Sequence, residues 1–300
     1  CKSSNYLNKL KAILEKRRSG NNVNTDIVKK IVKDIKKNKL KALKKYEKKF
    51  SNNTQLKISK KKIIKSIKKL DPKVKKAIDF AYNRILKFHK TQKVRNLKYK
   101  DSLGNSIEYK FLPIESVGIY VPANLPSTLL MNAIPAKIAN VRRIILANPK
   151  INGELNPAIL YAAKKLNIGK IYSMGGAQAI ASLAYIQKVN KIVGPGNKFV
   201  AEAKRQLSGK LIGTESMYAG ASEICVLADK DTNVNQVVTS LVSQAEHDPN
   251  SQCILVTKDK RIINDVKKGI SKSLKNLPRK KIAISSIKKN GLIVKTNNDK

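Results

Sequence analysis

From residue 107 onward, short apolar runs alternate with helix-length segments, and this alternation constrains the fold more than any other feature. Segment 107–114 (IEYKFLPI) and segment 117–122 (VGIYVP) read as strands, followed by a helix at about 128–141. Then come strand 143–147, helix 157–167, strand 170–174, helix 177–187, strand 191–193 and helix 197–207. A helical crossover joins strands that run parallel, whereas a tight turn would join antiparallel ones. The pattern therefore predicts a parallel sheet with helices packed on it. Residues 222–300 repeat it: strand ICVLA, a helix, strand QCILVT, a helix at about 259–275, then strands near 282–285 and 291–295.

Residues 1–100 read instead as Lys-rich helices. Thr25 can cap a helix whose stripe is Ile27, Val28, Ile31, Val32, Ile35 and Leu40. Ser59 can cap a second, and Pro72 opens a third that ends near His89. Nothing beside His89 in sequence could serve as a co-ligand, so it reads as a partly exposed histidine without chemistry.

Ligands of parallel sheets bind at the carboxyl ends of the strands, where loops turn into helices. Three such turns carry unusual residues. PANLPST follows Tyr120, Gly175-Gly176-Ala177-Gln178 follows KIYSM, and Gly194-Pro195-Gly196-Asn197 follows KIV. Each alone is ordinary punctuation, and none is the G-x-G-x-x-G fingerprint. Three on one side of one sheet predict a shared crevice.

A different chemistry is written in SQAEHDPNSQ at 243–252. Val234, Val237, Val238, Leu241, Val242 and Ala245 make one helical face, with Asp231 or Thr232 as cap and Asp248-Pro249 as stop. Gln244 and His247, three residues apart, then lie near one another in the last turn. Imidazole nitrogen and amide oxygen both bind a borderline cation such as zinc. Taken alone, the pair reads as a solvated helix end, because two donors do not make a metal site.

Taken in order, SVGIYVPANLPSTLLMNAIPAKIANV (116–141), GGAQAIASLAY (175–185), KIVGPGNKFVAEAKRQLSG (191–209), AGASEICVLAD (219–229) and SQAEHDPNSQ resemble histidinol dehydrogenases. The likeness implies two Rossmann-like α/β units, one inserted in the other: 116–221 as the NAD-binding insert, with 1–115 and 222–300 contributing to the other. It implies oxidation of L-histidinol to L-histidine through histidinaldehyde, the last steps of histidine biosynthesis, with NAD and zinc. Tyr120, Gln178 and Asn197 match the family's NAD contacts. Ser222 matches its substrate serine, and Gln244 and His247 its first two zinc ligands, close to substrate. A cytoplasmic homodimer is expected. Two local departures stand out: PANLPST is shorter than the family's glycine-containing loop, and Ala221 replaces its usual proline. The family's catalytic Glu-His pair, its aspartate ligand and its second histidine ligand match positions beyond Lys300. The resemblance thus implies that residues 1–300 hold no catalytic residue, form the N-terminal part of the enzyme and are inactive alone.

Charge offers a rival reading. Lys+Arg number 63 against 20 Asp+Glu, a net charge of +43, and only nine of the 63 are Arg. Nucleic-acid readers favour Arg for its bidentate contacts. A Lys-dominated charge on amphipathic helices reads as a solvated face that binds polyanions weakly and without sequence preference. A third possibility is a shortened, non-catalytic relative that binds a small molecule. Cys1, Cys225 and Cys253 form no paired spacing, and the latter two sit in apolar runs as small buried hydrophobes, which suits a reducing cytoplasm. No apolar run reaches membrane-spanning length.

Overall fold

The computed structural model describes residues 5–19, 25–215 and 222–297. The chain packs as two compact units, Val23–Ala219 and Cys1–Asn22 with Gly220–Lys300. The second unit opens with α1 (Tyr6–Ser19). The Val23–Ala219 unit contains α2 (Thr25–Ser51), α3 (Lys60–Lys68), α4 (Pro72–Lys90), the hairpin β1 (Leu97–Lys100) and β2 (Ser106–Tyr109), β3 (Ser116–Tyr120), α5 (Pro126–Ile138), β4 (Arg143–Ala147), α6 (Pro157–Lys165), β5 (Lys170–Tyr172), α7 (Gly176–Tyr185), β6 (Lys191–Val193), α8 (Lys198–Leu207) and β7 (Gly213–Thr214).

Strands β3 to β7 form one parallel sheet in the order β5-β4-β3-β6-β7. The chain steps outward from β3 in one direction, returns, and steps outward in the other, so helices cover both faces. Side chains alternate accordingly. Val117, Ile119, Ile144 and Leu146 enter one core; Tyr120, Ile145, Ala147 and Ile192 enter the other. Each such Ile or Leu stabilises the fold by roughly 1.5–3 kcal/mol relative to leaving it in water.

The N-terminal helices complete these cores, which moves the expected boundary. Residues 1–115 were assigned with 222–300, yet the stripe Val28, Ile31, Val32, Ile35 and Leu43 of α2 packs on α7 and α8. Ile67 and Ile78, from α3 and α4, pack on the opposite face with α5 and α6. They cover the outer sides of the helices that lie on the sheet. α1 belongs with residues 220–300, and the unit expected from 116 begins near 23. Ile27 and Leu40, expected in the stripe, are exposed: Ile27 lies at the flank of the buried Val28–Ile31–Val32–Ile35 face, and Leu40 follows a kink at Lys39 (φ 45°, ψ −122°), after which Ala42, Leu43 and Glu47 are buried. The expected strand at 107–114 is shorter, ending at Tyr109 and pairing with β1.

In the other unit, β8 (Glu223–Ala228), β9 (Gln252–Thr257) and β10 (Gly291–Lys295) form a parallel sheet in the order β10-β9-β8. It carries α9 (Val234–Ala245), α10 (Lys260–Lys275) and α11 (Lys280–Asn290). The expected strand at 282–285 lies inside α11: buried Ala283, Ser286 and Asn290 recur at three and four residues, a helical spacing hidden by the IAI run. Cys225 was expected to be buried; it is exposed beside exposed Leu227 on the side of β8 away from α9, whereas Cys253 is buried. Asn233, rather than Asp231 or Thr232, caps α9, its side chain accepting from the N–H of Asn235 and Gln236.

Candidate functional site

Because strands β3 to β6 run parallel, the turns after β3, β5 and β6 all open on the carboxyl edge of one sheet. The order of the strands reverses between β3 and β6, and a crevice opens where loops diverge at such a point. Gly194, leaving β6, lies against the last residue of β3: a Cβ on it would come 2.0 Å from the Tyr120 carbonyl oxygen. Its φ of +105° is one that other residues rarely adopt. Glycine therefore lets these two strand ends touch.

The structure places all three expected cofactor residues at this edge. Tyr120 ends β3, is buried, and its hydroxyl oxygen accepts from the Gly176 N–H at 3.4 Å. Burial pushes the phenol up from its ordinary pKa. Gln178 lies in the first turn of α7 and is also buried. Asn197 is exposed and caps α8, its Oδ1 accepting from the N–H of Phe199 and Val200.

A network that sequence reasoning did not identify lies under these turns. Glu47, near the end of α2, is 1% exposed. Its Oε1 accepts from Gly175 N–H and from Gln178 Nε2, both at 2.9 Å. Asn53 follows, donating to Glu47 Oε2 at 3.5 Å and to the Ser173 carbonyl at 2.6 Å, while its Oδ1 accepts from Lys150 Nζ at 2.8 Å. Burial raises the Glu47 carboxyl and, as the largest effect, depresses the Lys150 ammonium. A second buried charge braces the third turn: Lys204, from α8, donates to the Gly194 carbonyl and pairs with Glu215. Asn148, just past β4, ties down the first turn by donating to the carbonyls of Val121 (2.9 Å) and Pro122 (3.3 Å).

The sequence did carry one trace of Glu47, four residues after buried Leu43 on the same helical stripe. In KKYEKK it reads as one more solvated charge. Lys204 is hidden in the same way among the polar residues of α8.

Ser222 precedes β8, and Gln244 and His247 precede β9, so all three lie toward the amino edge of the three-stranded sheet. The Ser222 carbonyl accepts from Gln252 N–H at 3.1 Å, and Gln244 Nε2 reaches Ser251 Oγ at 3.5 Å. Gln244 is in the last turn of α9, as expected. His247 falls just past the cap residue Glu246, its N–H donating to the Gln244 carbonyl, and its side chain is exposed. Ala221 lies outside the described residues. Among the described residues no three of His, Cys, Asp and Glu gather as a metal would need. An amide oxygen and an imidazole are suitable zinc donors, but a zinc site takes at least three protein ligands, so this pair falls short of one.

His89 is partly exposed at the end of α4, and its Nδ1 hydrogen-bonds Gln92 Oε1 at 2.5 Å. It borders a cavity of about 570 Å³ lined by Phe111, Leu112, Met131 and Pro135. That cavity is larger in appearance than in chemistry: its lining is mostly apolar, and none of the residues matched above borders it.

Comparison with known proteins identifies the family. The family model described as histidinol dehydrogenase matches residues 14–300. The chain is 49% identical over 300 residues to histidinol dehydrogenase of Pelagibacter ubique, covering 98% of this chain and 70% of that protein. It is 45% identical over 228 residues to histidinol dehydrogenase 1 of Trichormus variabilis, covering 74% and 52%. Among solved structures, histidinol dehydrogenase of Elizabethkingia anophelis superposes with a TM-score of 0.85 at 37% identity, covering 91% of this chain and 65% of that one. The chain thus spans between about half and 70% of the length of these relatives. A doubly wound sheet with braced glycine turns, a second α/β unit carrying Ser222, Gln244 and His247, and a match from residue 14 to residue 300 lead to one conclusion: the chain belongs to the histidinol dehydrogenase family.

Proposed function

We propose that the protein carrying this chain oxidises L-histidinol to L-histidine through histidinaldehyde, the last steps of histidine biosynthesis, with NAD as hydride acceptor and zinc beside the substrate. The observation that carries the cofactor part is the convergence of Tyr120, Gln178 and Asn197 on one carboxyl sheet edge, where the loops after β3 and β6 diverge. Family membership supports the substrate.

Within this reading, Ser222, Gln244 and His247 bind substrate, and Gln244 and His247 supply two of the zinc ligands. The remaining ligands, and the acid–base residue that takes the hydroxyl proton as hydride leaves, belong to the part of the relatives' length that this chain does not span. Zinc, when bound, polarises the substrate oxygen. The chain's own residues orient the ligands: Tyr120, Gln178 and Asn197 hold the nucleotide, and the glycine turns let it approach the backbone. The 1–300 chain alone is then inactive. Among the described residues no helix is long and apolar enough to cross a membrane. We further propose a cytoplasmic homodimer with no specific nucleic-acid partner.

The test follows NADH absorbance with L-histidinol and the complete protein. Two NADH per histidine are expected, and Gln178→Ala should raise KM for NAD while the circular dichroism spectrum is unchanged. His247→Ala should lose most bound zinc by elemental analysis and most activity. Near-normal turnover of His247→Ala, or stoichiometric tight zinc in the 1–300 chain, would count against the reading.

A further inference from the structure

Each of the three cofactor residues has one polar group committed to the fold. The Tyr120 oxygen accepts from Gly176, Gln178 Nε2 donates to Glu47, and Asn197 Oδ1 accepts from Phe199 and Val200. What remains is chemically definite: a phenolic proton, an amide oxygen and an amide NH2. Gln178 is the informative member. A primary amide has nearly the same shape end for end, so its orientation is set by its partners. A carboxylate only accepts, so Glu47 takes the NH2 end. The oxygen then turns back over Gly176, where a Cβ would lie 2.9 Å from it. Among the described residues this oxygen accepts no hydrogen bond. The same Glu47 oxygen takes the Gly175 N–H and the Tyr120 hydroxyl takes the Gly176 N–H, so two donors that a glycine turn would offer to a phosphate are already held by the protein.

We propose that Glu47 is a positioning residue that sets the polarity of this turn: it holds the Gln178 amide with its oxygen free, so that the turn recognises an uncharged, donor-bearing part of the nucleotide, a ribose hydroxyl or an exocyclic amine. The proposal rests on the cofactor reading above. Glu47 is well placed for the task. It comes from a helix packed along α7, it is 1% exposed, and Asn53 fixes its second oxygen.

The experiment measures affinity by calorimetry for NAD, its 2′-deoxy and 3′-deoxy analogues and its deamino analogue. The proteins are the complete wild type, Gln178→Ala, Glu47→Met and Glu47→Gln. Glu47→Met keeps the side-chain volume and frees the amide to turn. It should lower NAD affinity about tenfold, by the size of one well-made hydrogen bond. Combining it with Gln178→Ala should cost no more than Gln178→Ala alone. Glu47→Gln keeps a carbonyl that accepts both bonds and should stay within about threefold of wild type by the same reasoning. One analogue, which names the group recognised, should bind wild type about tenfold more weakly than NAD does yet match NAD in Gln178→Ala. A folded Glu47→Met with wild-type NAD affinity beside a weakened Gln178→Ala would overturn the proposal. So would a tenfold loss in Glu47→Gln, which decides the matter even if the Met variant does not fold. Unchanged NAD affinity in Gln178→Ala would instead sink the cofactor reading itself.

Discussion

Replacing Gly194 by alanine strikes the contact on which the crevice depends. The new methyl carbon would sit 2.0 Å from the Tyr120 carbonyl oxygen, 3.0 Å from its carbon and 3.3 Å from its nitrogen. All three are backbone atoms of β3, so no flexible side chain can swing aside. Two costs add. Holding an L residue in left-handed backbone costs roughly 1–2 kcal/mol. Forcing packed backbone apart for one methyl costs about 1–3 kcal/mol more. The total, about 2–5 kcal/mol, corresponds to a Tm decrease of about 4–20 °C for a unit of this size. Gly153→Ala supplies the control. Its φ is +80°, and a Cβ there meets nothing within 4 Å, so it carries the conformational cost alone. The assay is thermal unfolding followed by circular dichroism, with both variants in the same unit of the chain. Gly194→Ala should be the less stable of the two by about 1–3 kcal/mol, the steric part. Equal losses would show that β3 and β6 do not touch as described.

Three further outcomes follow from burial and charge. Burial raises the Glu47 carboxyl above its ordinary value of 4.5. Its contribution to stability should therefore be present below that value and lost as pH rises through the raised pKa, so the stability difference between wild type and Glu47→Gln should move against wild type across that window in denaturant titrations. The Cys253 thiol is pushed up to about 11 by burial, while Cys225 is exposed. At pH 8 only on the order of a thousandth of Cys253 is thiolate, so mass-resolved alkylation should label Cys225 far faster, and equal rates would contradict the packing of β9. The net charge of +43 should give DNA binding that is weak, independent of sequence and steeply reduced by salt in polarisation titrations; tight preference for one sequence at physiological salt would promote the nucleic-acid reading.

The parallel sheet was legible because its signal is local. RIILA and KIV are too short and too apolar for anything but buried strands, and the helices between them force parallel crossovers. The glycine turns announced the carboxyl edge for the same reason. The partition of the first hundred residues was not legible, because an amphipathic stripe such as Val28–Ile31–Val32–Ile35 says that a face will be buried but not against which sheet. The run IAI at 282–284 misled because periodicity over three residues cannot tell a strand from a helix turn; only Ser286 and Asn290, buried at helical spacing, decide it. Glu47 shows a further limit. Its meaning depends on Gly175 and Gln178, more than 120 residues away in the chain, and composition alone makes it one charge among many.

The central claim is that NAD lies on the carboxyl edge of the β3–β7 sheet, held by Tyr120, Gln178 and Asn197. A crystal structure of the complete protein with NAD bound tests it most directly. The account predicts ligand density over the carboxyl ends of β3 and β6, with the Tyr120 hydroxyl, the Gln178 amide oxygen and the Asn197 amide nitrogen each within hydrogen-bonding distance of it. Density away from that edge, or density there that leaves all three side chains untouched, would contradict it.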